Sequence, residues 1–115
     1  MSKYDVNETG IATARRLIDA GKVDRDTPWS EAAPSTDEEN AVIEADGYRA
    51  YGTWHLAIDT EASEETKDRY GFPFGDFHAL NRAAVIHAKQ RAAQNGHGAI
   101  EQAADGLLRR IDGED

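Results

Sequence analysis

Four histidines, His55, His78, His87 and His97, are the side chains here that invite a metal or proton-transfer reading. A metal site on one helix needs two ligands a turn apart, as in HExxH, and no such spacing occurs. His78 and His87 are nine residues apart, so even a shared helix would place them on different turns. A structural role accounts for them more simply. His87 flanks a helical stripe, and His97 sits at a helix boundary where an imidazole bonds terminal carbonyls. Glu61, Glu64, Glu65 and Asp68 are numerous enough for an acid/base pair or a calcium loop. The run DTEASEETKDRYG lacks the alternating oxygen ligands around an obligatory glycine that a calcium loop requires, so a solvated acidic face is the favoured reading. No GxSxG elbow is present, and cysteine is absent, which removes thiolate nucleophiles, cysteine-bound zinc and disulfides together. Gly71-Phe72-Pro73-Phe74-Gly75 is no phosphate loop, because bulky rings stand where backbone amides would have to converge.

Binding residues are easier to find than catalytic ones. Arg82, Lys89 and Arg91 form a basic set on the longest helical pattern, with Arg109 and Arg110 at the end of the next. Such a face can touch phosphate, although pairing with the surplus carboxylates is its simpler use. Trp29, Tyr51, Trp54 and Phe72 could supply the aromatic area that dominates interfaces, but in a chain this poor in large apolar residues the core itself is their favoured place. The interaction candidates are therefore Trp54, His55, Arg82, Lys89 and Arg91. No residue is assigned a catalytic, cofactor-binding or metal-ligating role, and no cofactor is implied.

Helices must position most of these groups. Asn7 stands at the N-cap of a helix carrying Ile11, Ala14, Leu17 and Ile18, with Gly21 as its stop. Residues 22–34 read as an ordered loop pinned by Trp29. Ser35 and Glu38 form a capping box opening a short helix with Ala41, Val42 and Ala45 inward and Gly47 at its end. Residues 48–59 fit a strand or a helix, with the helical stripe Tyr51, Trp54 and Ile58 slightly favoured. Ser63 caps an acidic turn through Arg69. Tyr70, Phe72 and Phe74 alternate around Pro73 as a short extended segment, at best an edge strand. Asp76 is expected to cap the main helix, with Phe77, Leu80, Ala84, Ala88 and Ala92 on one stripe and Asn95-Gly96 as its end. Ile100, Ala103, Leu107 and Ile111 define a last helix that packs on it as an αα-hairpin.

The chain has 115 residues, enough for one modest core. Its 39% hydrophobic content is globular, and its start has neither the basic nor the apolar region of an export signal. The net charge of −9 disfavours DNA and anionic membrane and costs stability through self-repulsion. Nine Arg stand against only four Lys, and alanine is abundant. Acidic surface, scarce lysine and an alanine-rich interior together point to a salt-rich, haloarchaeal-type cytoplasm, where the screening length falls to about 3 Å.

Taken as an ordered set, several motifs carry a resemblance. They are Gly21-Lys22-Val23-Asp24, Pro28-Trp29-Ser30, Tyr51-Gly52-x-Trp54-His55-Leu56, Tyr70-Gly71-Phe72-Pro73-Phe74-Gly75, Arg82-Ala83-Ala84 and Gln90-Arg91-Ala92-Ala93-Gln94. Over residues 21–111 the chain resembles a small module of uncharacterised phage- and prophage-associated proteins that stands beside, or is fused to, head-maturation proteins. The resemblance implies no catalytic or binding residues. Residues up to Ala20 and the acidic bias depart from it.

The expectation is a mainly α fold in one small domain, short helices ending in an αα-hairpin, with a minor β ribbon near 70–74 and α+β as the alternative. Residues 1–20 would be an N-terminal helical extension, 21–111 the module and 112–115 a frayed acidic tail. The expected function is a non-enzymatic protein–protein interaction module, of proviral origin and adapted to high salt, located in the cytoplasm. Its partner would be another protein or a second copy, with no membrane and with nucleic acid disfavoured. The alternatives are a nucleic-acid-associated protein using the basic helix face and a small metal-dependent hydrolase.

Overall fold

The alanine-rich stripes near the C-terminus build the largest packed unit. A computed structural model describes residues 3–113, with helix α4 at Arg82–Gln94 and α5 at Gly98–Ile111 as an antiparallel hairpin. Ala84, Val85, Ala88 and Ala92 of α4 are buried with Ile100, Ala104, Leu107 and Ile111 of α5. Small side chains on α4 let the two helices approach closely. Gly96, at φ 74°, makes the left-handed turn between them that other residues adopt only with strain.

Two small sheets complete the core. Strand β1 (Asp5–Val6) leads into α1 (Glu8–Asp19), β2 (Val23–Asp24) and the one-turn helix α2 (Trp29–Ala32). Helix α3 (Thr36–Gly52) is followed by β3 (His55–Ile58), β4 (Tyr70–Pro73) and β5 (Leu80–Asn81). The order β1-β3-β4 is antiparallel, with Val6 opposite Ala57 and Ala57 opposite Gly71. β2 and β5 pair in parallel, Val23 beside Leu80. The fold is thus mainly α with a minor sheet, and β4 lies at the edge that its proline requires. Phe74, Leu56 and Leu80 are the largest fully buried side chains, each worth roughly 1.5–3 kcal/mol by burial. The Cα radius of gyration, 13.2 Å, is that of a compact body of this length.

Of residues 1–20, expected as an extension, the described residues 3–20 are woven into this core. Ile11 and Ala14 belong to the main apolar cluster, and β1 is a strand of the larger sheet. Gly10 shows how close the approach is, since a Cβ there would collide with the carbonyl oxygen of His55. Asp112, in the expected tail, is ion-paired, while Glu114 and Asp115 lie outside the described residues.

Other differences have local causes. Ser35 and Glu38 do form the capping box, and Gly47 (φ 91°, ψ 167°) breaks the helix as expected, but helical structure resumes through Gly52. Ala41 and Ala45 are exposed, and Val42 and Ile43 are the half-buried pair. The 48–59 segment divides, helical to Gly52 and a strand from His55, because β3 pairs on both sides. Asp76 does not open α4. Its Oδ1 accepts from the amides of His78 and Ala79, both at 2.9 Å, closing a turn. The pairing of Leu80 N with Lys22 O at 3.0 Å keeps the chain extended until Asn81, which caps α4 through Oδ1 and the Ala84 amide at 2.8 Å. Asn7 occupies the N-cap position of α1, yet its amide donates instead to Gly52 O (3.0 Å) and His55 O (3.1 Å).

Candidate interaction groove

Two polar anchors set the site by fixing what would otherwise be loops. Asn81 is 2% exposed. While its oxygen caps α4, its nitrogen donates to Thr27 O at 2.9 Å, tying the loop before α2 to the start of that helix. The Asp24 carboxylate accepts from the amides of Asp26 and Thr27 and tightens the same loop. These bonds hold Trp29, half-buried, beside β4 and the outer face of α4.

β4 supplies the second wall by means of a strained residue. Phe72 has φ 58°, a left-handed conformation that costs a bulky residue on the order of 1–3 kcal/mol. In it the ring packs edge-on against Tyr4 (centroids 5.9 Å) and His97 (5.7 Å). A cavity of about 360 Å³ lies between this cluster, Trp29, Pro73 and α4. Its rim carries His87 and Arg91 of α4, Asn95 at the end of that helix and His97 beyond it. Trp29 and Pro73 also line a smaller hollow of about 130 Å³, shared with Trp54, His55 and Phe77. Phe77 has φ 73°, so each hollow has one strained phenylalanine in its wall.

Larger hollows exist, about 420 Å³ along α1 and α5 and about 670 Å³ along α3 and the 63–70 segment. Their walls are mostly polar or charged, with Arg15 and Arg110 in one and Arg49, Glu64 and Glu65 in the other. The aromatic cavity combines apolar walls with a few convergent polar groups, the usual form of a recognition site.

The five sequence candidates separate. Trp54 is half-buried, its ring 5.7 Å from Phe74 and 5.9 Å from Phe77. His55 is 4% exposed, its ring 4.6 Å from Tyr51 and 5.8 Å from Tyr70. Burial lowers its pKa to about 4, against the raising effect of the Tyr51 and Gly52 carbonyls near its ring. Nδ1 lies 3.1 Å from Tyr51 O. Burial pushes the Tyr51 phenol up to about 12, with Glu39 and Asp68 adding to the effect. At neutral pH, then, His55 is uncharged and Tyr51 protonated, and neither is poised to exchange protons there.

The basic set does not share one face. Arg82 makes a two-pronged pair with Asp112 (3.0 and 2.9 Å), and Lys89 reaches Asp105 at 2.8 Å. Asp105 also takes Arg109 at 3.1 Å, and Arg110 is paired two-pronged with Asp19. These hydrogen bonds hold the Asp112, Asp105 and Asp19 carboxyls below their ordinary range, so each cation is committed to an acid. Arg91 is exposed, lines the aromatic cavity and makes no ion pair among the described residues. Nine residues from Arg82 at about 100° each, it lies on the opposite side of α4.

Among the described residues no group of three or more His, Asp or Glu side chains is placed to hold a metal ion. No described helix is long and apolar enough to cross a membrane. Compared with protein-family models, curated proteins and solved structures, the chain matches none of them.

Proposed function

We propose that this chain is a non-enzymatic protein–protein interaction module that engages its partner at the groove walled by Trp29, Phe72 and Pro73. One observation carries the reading. Phe72 is held in a strained backbone conformation whose ring forms the wall of an open aromatic cavity. Strain of that kind persists only where the surroundings over-determine it, and it concentrates at binding sites and clamps. The protonation states of His55 and Tyr51 lend no support to acid–base chemistry. The nucleic-acid reading loses its basic face, because Arg82 and Lys89 are bound to carboxylates.

The setting we propose is a salt-rich cytoplasm, supported by the net charge of −9, and the origin a provirus, supported by the motif resemblance. Capsid, portal or terminase genes beside this one would favour that origin, and their absence would count against it. The function is tested by capture from source-cell extract in multimolar KCl with wild type, Phe72→Ser and an Ala45→Ser control on the exposed face of α3. A discrete protein retained by wild type and control but lost by Phe72→Ser is expected. Recovery of the bait alone, or of the same proteins by all three, refutes the groove as a contact site.

A further inference from the structure

The charge around the groove indicates what fills it. In a chain of net charge −9, the aromatic cavity has no Asp or Glu among its described lining residues, but holds Arg91, His87 and His97. The adjoining hollow includes Glu39, that along α1 and α5 includes Glu8, and that along α3 includes Glu64 and Glu65. Lys3 adds a cation at the same end, its Nζ 5.2 Å from the Tyr4 ring centre. A carboxylate-free window that carries Arg91 and has Lys3 beside it is where this acidic surface repels a negatively charged partner group least and can pair with it.

Resting on the groove as contact site, we infer that its occupant is an acidic segment of a partner protein, which inserts one large apolar or aromatic side chain and lays a carboxylate on Arg91. Arg91 is suited to that contact because a guanidinium binds a carboxylate through two parallel hydrogen bonds. The cavity's openness, rather than its size, favours a side chain over a free small molecule. Open along the exposed residues His87, Arg91 and Asn95, it leaves much of an occupant's surface in solvent, unlike the enclosing pockets of small-molecule sites. Nucleic acid would need a row of cations along its phosphates, and α4 offers one uncommitted arginine on this side.

The test is an amide NMR titration of the full chain at about 0.1 M KCl, where charges act over ~10 Å. Three capped peptides serve as probes: acetyl-Glu-Phe-Glu-amide, its Gln-Phe-Gln twin and its Glu-Ala-Glu twin. The first is expected to shift the Phe72 and Arg91 amides and the Trp29 indole. Both twins should bind about threefold to tenfold more weakly. Arg91→Gln should abolish the preference for glutamate over glutamine, and Arg91→Lys should restore part of it. Because Arg91 is exposed and makes no ion pair among the described residues, a dispersed spectrum is expected for both variants. Equal binding of the glutamate and glutamine peptides in the groove overturns the acidic partner and leaves the groove standing. No groove shift with any of the three peptides overturns the inference, while capture of the native partner judges the function separately.

Discussion

Acidification should destabilise this protein in a window that belongs to His55. Its pKa is about 4 in the folded state against 6.5 for a free histidine, chiefly because the ring is buried between Tyr51 and Tyr70. A depressed histidine pKa means that the unfolded chain takes up the proton first, so the contribution is complete above pH 6.5 and falls as pH drops toward 4. Linkage across that interval removes about 2 kcal/mol by pH 5 and about 3 kcal/mol by pH 4. Against a total of roughly 5–15 kcal/mol, this is a large share. The carboxylates that pair with Arg82, Lys89 and Arg110 act elsewhere. Their lowered carboxyl pKa values place their loss below the ordinary carboxylate value of 3.8. Urea unfolding of wild type and His55→Asn, followed from neutrality down to pH 4 at constant KCl, separates the two effects. The variant should be less stable at neutral pH, and the gap to wild type should close by about 3 kcal/mol toward pH 4. Parallel curves for the two proteins would refute the assignment of this window to His55.

Further perturbations follow from the same geometry. Gly10→Ala drives a methyl into the His55 carbonyl and should cost about 3 kcal/mol or more, or displace α1 from β3, read by urea midpoint and amide spectrum. Asn81→Ala removes both the α4 cap and the tether to Thr27, and about 2–3 kcal/mol of stability should go with them. Phe72→Gly should relieve the left-handed strain, so that it destabilises far less than Phe74→Ala, a truncation of a fully buried ring costing about 3–5 kcal/mol, in the same denaturation assay. Raising KCl from about 0.1 M to the molar range should raise the thermal midpoint, because screening the repulsion of a −9 chain outweighs weakening its exposed ion pairs; a falling midpoint would contradict the high-salt setting.

Elements specified by neighbouring residues were legible in the chain, and those specified by distant partners were not. The stripes Ile11–Ala14 and Ile100–Leu107–Ile111, the Ser35/Glu38 box and the breaks at Gly21, Gly47 and Gly96 all rest on contacts within a few residues, and the structure contains them. β1, β2 and β5 are two residues long, and their strand pairing is with segments more than fifty residues away. The same long-range pairing moved the start of α4 from Asp76 to Asn81, although an Asn before Arg82-Ala83-Ala84 is itself a capping signal. Asn7 was recruited across the fold to two carbonyls, which no local pattern could announce.

The groove was half legible. Arg91 is among the candidates, but nine residues make about two and a half turns of helix, which sets it opposite Arg82 rather than beside it. The weighing of the aromatics as core holds for Tyr51, which is buried, and in part for Trp54 and Phe72, which pack against the core while half-exposed at the hollows; Trp29 is half-buried between the two hollows. The left-handed backbone at Phe72 and Phe77, in the walls of the two hollows, is a property of the assembled chain that side-chain type does not encode.

The central claim is that this face of the protein meets a partner. A photo-reactive benzoylphenylalanine placed at position 72, and separately at the exposed Ala45 of α3, tests it inside the source cells. Irradiation should yield a discrete cross-linked species from position 72 that is absent from position 45 and is lost when Arg91→Glu is added. Cross-links from position 45 alone, or the same pattern from both positions, would contradict the account.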